Sequence, residues 1–459
     1  MRRVSSPPRA PQPRPRGRHR RRRPWGWILL LTAIVLVLLG TGGWWAWGQR
    51  NPAEISGNPT EEFITTQEAA TTATTAPAAV QDWPTYGYDN ARTRWNPNLR
   101  LRPPFTTDWT FRSGSLLEFP PIVADGMMFV GQLRGTFFGV DAATGKKVWI
   151  KGIGHCSAAT PAYHDGVVFA AFLAPYPCPK GDATGGGYVF AWDAKTGAKK
   201  WVAKLPPVES SPLVQDGTVY VGAWDSKLYA LDEATGAVKW ATQLDAQIVS
   251  SASWIDAASA GGTPAVVIGT NGGSLYSVDA ATGAIRWQAQ SNERLGSGRE
   301  YFYATPTVAY GRVFIGNTDG WMYAYGAQSG KLIWARQAGS YVYSGAVAAG
   351  QVIYIGTYDG DIIAFDAATG DRLWTTPVPG AVHGAPVLMD GLLYFSTCSG
   401  CGQNGVRGAK SGPDGIHAID ITTHEIVWSD PDGKYSPLVA DGERVYLIGK
   451  GTIRGASPE

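Results

Sequence analysis

From Pro120 onward the chain is a succession of short apolar runs broken by polar turns at regular intervals. Thr218-Val-Tyr-Val alternates as a half-buried strand does, and Asp216-Gly217 just ahead of it predicts a tight hairpin turn. Asp125-Gly126, Asp165-Gly166, Asp390-Gly391 and Asp441-Gly442 fill the same slot. A second turn carries Asp319-Gly320 or Asp359-Gly360, and a third carries Ala-Thr-Gly, as at Thr144-Gly145. Glycine recurs there because such turns require positive φ. Aspartates repeating at turn positions read as turn residues rather than metal ligands.

The runs group into a repeat that ends on tryptophan: Trp149, Trp201, Trp240, Trp287, Trp334 and Trp374, and more loosely Trp428. Four copies, 120–149, 211–240, 305–334 and 345–374, are each 30 residues long without a gap. Four short strands per unit, repeated in series, predict the blades of a β-propeller. Seven blades end on tryptophan, and residues 436–456 supply only the first strands of another. The missing outer strand is found at Thr107-Asp-Trp109-Thr-Phe-Arg112, so the two ends of the domain are expected to close an eighth blade together. Closure of that kind removes exposed sheet edges. The expected fold is therefore all-β, an eight-bladed propeller of four-stranded antiparallel blades over residues 82–459.

The net charge of +3 conceals an asymmetry: ten arginines lie within residues 1–23, leaving −7 on the rest. An acidic body speaks against a nucleic-acid partner. After the arginines come Trp25 and Trp27, the apolar run from Ile28 to Leu39, and then Trp44, Trp45 and Trp47. As a helix, residues 25–47 would rise about 34 Å, enough to span a bilayer with an aromatic belt at each end. Bulky Trp44 and Trp45 stand where a cleavage site would be, and no cysteine precedes Cys156 to accept a lipid. The reading is a basic cytoplasmic tail (1–24), an uncleaved transmembrane signal anchor (25–47), and a Thr/Ala/Pro-rich flexible linker (48–81). The propeller would then lie outside the cytoplasm, on a single-pass protein of the cell membrane.

The motif Val140-Asp-Ala-Ala-Thr-Gly145-Lys-Lys-Val-Trp149 recurs as Ala364-Phe-Asp-Ala-Ala-Thr-Gly370-Asp-Arg-Leu-Trp374 and in four more copies. It resembles the tryptophan-docking repeat of the pyrroloquinoline-quinone-like propellers, which include quinoprotein dehydrogenases and non-enzymatic outer-membrane assembly lipoproteins. Asp82-Trp-Pro-Thr-Tyr-Gly-Tyr-Asp-Asn-Ala-Arg-Thr-Arg94 is similar to the segment that precedes such rings. For an enzyme, the resemblance implies a quinone and a calcium ion on the axis, an Asp base, and commonly two adjacent cysteines. No two cysteines here are adjacent, and the minimal blades leave little room for covering loops. The resemblance is therefore read as a non-catalytic scaffold with a cell-envelope protein partner and no cofactor. The alternative is a quinone- and calcium-dependent dehydrogenase of alcohols or sugars.

Four cysteines allow three pairings. Cys156 and Cys178 fall in blade two, Cys398 and Cys401 in blade seven, so pairing within blades needs no loop to cross the channel mouth. Cys398-Ser-Gly-Cys401 is followed by Gly402 rather than His, which leaves covalent haem unsupported. Blades two and seven carry insertions, and Asn292–Tyr301 forms a long charged connection with Arg294, Arg299 and Tyr301; all lie on one expected face. Aligning the blades on the proline that opens each inner strand puts Glu118, Glu209, Tyr303, His383 and Lys434 three residues before it. These are expected to ring the channel mouth, and a concavity lined by mixed ionisable groups is a candidate binding site.

Overall fold

A computed structural model describes residues 30, 32–38, 53–65, 82–178, 185–291, 301–401, 406 and 408–459. It divides into residues 1–53 and residues 54–459. In the first unit, residues 30 and 32–38 are helical, and no described helix is long and apolar enough to cross a membrane. The spanning helix expected over 25–47 is therefore not supported; most of that stretch lies outside the described residues.

The second unit contains eight four-stranded antiparallel sheets, seven of them ordered as the chain runs from inner to outer strand. Seven sheets are contiguous: 122–152, 162–205, 213–243, 253–290, 307–337, 347–377 and 387–430. The eighth combines 438–440, 445–448 and 452–458 with Phe105–Arg112 as its outer strand. Trp109 stands opposite Gly455 in that last pair, so the ring closes as the repeat predicted.

What locks neighbouring blades is an aromatic ring laid on a glycine. In blades one to six the third turn carries a glycine at positive φ, as at Gly236 (φ 74°), and the absent Cβ leaves room for the preceding blade's tryptophan. A Cβ on Gly236 would lie 2.5 Å from Trp201 Cε3. The indole N–H of Trp201 meanwhile donates to Glu233 O at 2.8 Å, satisfying the one polar atom of a buried ring. Trp149, Trp240, Trp287 and Trp334 repeat the arrangement on Ala194, Ala280, Ala327 and Ala367. In blade seven His424 replaces the glycine, and Trp374 stacks on its ring at 4.7 Å. Trp428 closes the series by packing edge-on against Phe105 of blade eight.

Both disulfides join cysteines of the same blade, Cys156 with Cys178 and Cys398 with Cys401. The aspartates that open the third turn cap it; Asp141 Oδ1, for example, accepts from Thr144 N at 2.8 Å. One expectation fails in the segment before the ring. Residues 54–65, assigned to a flexible linker, pack on blades five and six, with Ile55 paired to Ala335 of an outer strand. Arg312 and Arg336 provide the buried hydrogen-bond donors that hold this otherwise polar stretch. Residues 66–81 lie outside the described residues.

Candidate functional site

The channel is closed at the end where the inner strands finish. Residues 83–95 run across it and bond with seven blades in turn, among them Trp83 with Val123, Asn90 with Trp254, Thr93 with Ala348 and Arg94 with Leu388. Arg92, fully buried, donates to Ala252 O, Pro212 O, Thr85 Oγ1 and Tyr86 O. Burial pushes its guanidinium down to about 9. Arg94 stacks over the Tyr86 ring at 5.0 Å and donates to Arg92 O, Thr307 Oγ1 and Ala346 O. The segment that sequence reading placed ahead of the ring is thus its axial floor.

Above Tyr86 a small cup opens toward the loop-bearing end, with a volume of about 50 Å³. Glu118, Glu209, Tyr303 and His383 all line it, as the proline alignment anticipated. Tyr343 and Val249 line it too and escaped that alignment, because Ala346 and Ala252 replace the proline in blades six and four. Their signal was the fixed length of the repeat rather than the proline. Lys434 does not line the cup. Its ammonium turns to the blade-seven loop, 2.8 and 2.9 Å from the Asp414 oxygens. Burial pushes Asp414 up, but Lys434 and the Ser399 amide hold it below the usual carboxylate range. Arg294 and Arg299 fall outside the described residues. Tyr301 sits beside Tyr303, ring centroids 5.6 Å apart, and its N–H donates to Thr318 Oγ1.

Burial governs the chemistry of the cup. It pushes Glu118 up, and it pushes Glu209 up to about 7, with repulsion from Glu118 adding to the effect. Glu209 Oε2 accepts from Trp224 Nε1 at 3.0 Å, which offsets only part of this. Burial pushes His383 down to about 4, so its ring is neutral, and Tyr358 Oη lies 2.6 Å from its Nδ1. A continuous aromatic band leads away from the cup: Tyr303 to Tyr343 at 5.5 Å, Tyr343 to His383 at 4.5 Å, and His383 to Tyr435 at 5.5 Å. Tyr341 joins it through Tyr358 at 5.0 Å.

The family model described as outer membrane protein assembly factor BamB matches residues 98–177, 181–375 and 318–451. The chain belongs to this PQQ-like propeller family. Its relatives include assembly factors and dehydrogenases. Outer membrane protein assembly factor BamB of Moranella endobia is 31% identical over 155 residues, 33% of this chain and 37% of that protein. The 1-butanol dehydrogenase (cytochrome c) of Thauera butanivorans is 29% identical over 173 residues, 32% of this chain and 23% of that protein. Among solved structures, BamB from Moraxella catarrhalis superposes with a TM-score of 0.61 at 18% identity, over 77% of this chain and 99% of that one. Quinohemoprotein alcohol dehydrogenase from Comamonas testosteroni gives 0.51 at 16% identity, over 82% and 80%. At those identities the superpositions establish the fold.

Because the PQQ-like family includes quinone enzymes, the axis must be tested for such a group. Small-molecule pockets run to about 300–1,000 Å³, and the cup holds about 50 Å³. Among the described residues no trio of His, Cys, Asp or Glu converges on a cation. These residues do not fit a quinone with calcium.

Proposed function

We propose that this chain is a non-catalytic scaffold of the cell envelope, anchored through residues 25–47 with its propeller outside the cytoplasm. It binds a protein partner around the channel mouth. The observation that carries this reading is the combination of a cup of about 50 Å³ with a partly exposed band of Tyr301, Tyr303, Tyr341, Tyr343 and Tyr435 beside it. Tyrosine suits such a surface: a large contact area, few rotatable bonds, and a hydroxyl for the wet rim. Here the rings already pack on one another, so little side-chain entropy remains to be lost on binding. The assembly-factor relatives support the protein-partner reading, and the paired cysteines support an oxidising compartment.

The test is site-specific photo-crosslinking in cells. A reactive residue at Tyr341 should give a discrete protein adduct, and one at Val238 on an outer strand should not. Tyr303→Ala with Tyr343→Ala should abolish the adduct, each side chain contributing about 2 kcal/mol if it is an anchor. Quinone- and calcium-dependent dye reduction with an alcohol or sugar by the purified chain would overturn the reading in favour of a dehydrogenase.

A further inference from the structure

Six blades share a turn between third and outer strands that is capped by its own acid: Asp141, Asp193, Asp232, Asp279, Asp366 and Asp420. In blade six, Asp366 Oδ1 accepts from Ala368 N at 2.9 Å and Thr369 N at 2.7 Å. Blade five departs from the pattern, with Gly326 where the acid belongs. Its turn amides are nevertheless satisfied. Glu62 Oε2 accepts from Gln328 N at 3.0 Å and Ser329 N at 3.3 Å. A Cβ on Gly326 would lie 2.5 Å from the Glu62 carboxyl carbon and from both its oxygens. The carboxylate fills the space the missing side chain would take.

The rest of the segment is fitted to the same place. Ile55 exchanges both backbone hydrogen bonds with Ala335, each 3.0 Å, extending the outer edge of blade five. Gly57 N donates to Thr369 O at 2.9 Å, and a Cβ there would lie 2.5 Å from Ala368 O. Arg312, fully buried, joins the two sides: Nη1 donates to Ala367 O and Ala368 O of blade six, Nη2 to Asn58 O and Glu61 O of the segment. Phe63 covers that guanidinium at 4.8 Å and packs on Tyr310 at 5.7 Å. Lys331 pairs with Glu61 at 2.5 Å.

We infer that the groove between blades five and six is a binding site for residues 54–64 of this same chain, with Glu62 supplying from outside the blade the turn acid that Gly326 omits. The chain therefore engages the ring first at blade five, before it forms the axial floor. A segment whose acid replaces a residue lost from the repeat is part of the fold rather than a spacer.

The experiment uses the full chain and four forms of it: wild type, Glu62→Ala, Gly326→Asp and the double variant. Glu62→Ala should speed hydrogen exchange of the Gln328 and Ser329 amides about tenfold, the loss of a charged acceptor. Gly326→Asp should set two carboxylates on one pair of amides and release the segment, exposing residues 54–64 to protease. The double variant, with its acid now within the blade, should regain slow exchange at both amides while the segment stays cleavable. Two results would overturn the inference: unchanged protection of residues 54–64 in Gly326→Asp, or amides in the double variant that exchange as fast as in Glu62→Ala. Should Gly326→Asp fail to fold, Gly57→Ala releases the segment without touching the turn, and unaltered protease resistance there overturns it as well.

Discussion

Replacing Glu209 by glutamine should stabilise the protein increasingly as pH rises above about 4.5, and in full above about 7. An ordinary glutamate titrates at 4.5, whereas Glu209 does so at about 7 because it is buried and faces Glu118. Below the lower value both folded and unfolded chains hold the proton, and the difference has no effect. Between the two values the unfolded chain has lost its proton and the folded chain has kept it. Stability therefore falls as pH rises through this window, and the loss is complete above about 7. At roughly 1.4 kcal/mol per pH unit the full loss is about 3 kcal/mol. Glutamine cannot ionise, and its amide oxygen can still accept from Trp224 Nε1, so the variant should lack this component. Urea unfolding of both forms between about pH 4 and pH 8.5 measures the effect. The two should agree at the acid end and diverge to about 3 kcal/mol in favour of the variant at the alkaline end. Glu118→Gln removes the repulsion and should move the wild-type inflection to lower pH. Parallel profiles for wild type and Glu209→Gln would refute the claim that the cup keeps this acid uncharged.

Gly236→Ala should cost about 2–4 kcal/mol, since it combines a positive φ with overlap on Trp201; Gly217→Ala has the same backbone but open space and should cost about 1 kcal/mol. Equal losses in denaturant unfolding would mean the indole does not dock as described. A reporter active only outside the cytoplasm should work when fused at Glu459, and activity of a cytoplasmic reporter at that position would refute the proposed topology.

The ring was legible in the sequence because its locking element is local and periodic. Trp201 and the Gly236 it covers both belong to a motif that repeats, and Trp109 betrayed its place in blade eight by standing one repeat length before Trp149. The cup was half legible. Proline marks the inner strands that carry Glu118, Glu209, Tyr303 and His383, but the geometry belongs to the strand, and Tyr343 keeps its place without one. Lys434 occupies the right slot, yet a flexible stem let it turn to Asp414, a partner no alignment of slots reveals. The segment 54–65 was misread for a different reason. Its composition is that of an unstructured chain, with Ile55, Phe63 and Ile64 its only large apolar residues. What holds it is polar and non-local, and the clue lay far away, in the glycine that breaks the repeat at blade five.

The floor of the channel bears on function as much as the cup does. The same fold hosts unrelated functions, so function has to be argued from what occupies the axis and the mouth. Here the chain fills its own axis. Arg92 spends its donors on carbonyls and a hydroxyl of the inner strands and the floor itself, and Arg94 ties the floor to blades five and six through Nη1. Because the floor bonds with blades one through seven in sequence, one blade cannot shift outward without breaking contacts shared with the others. A ring with a filled axis keeps little interior space and presents a fixed surface. On that surface the tyrosines of blades five and six and Tyr435 of blade eight are held by their neighbours in one arrangement. Preorganised aromatic area beside a small cup is what the proposed docking role requires.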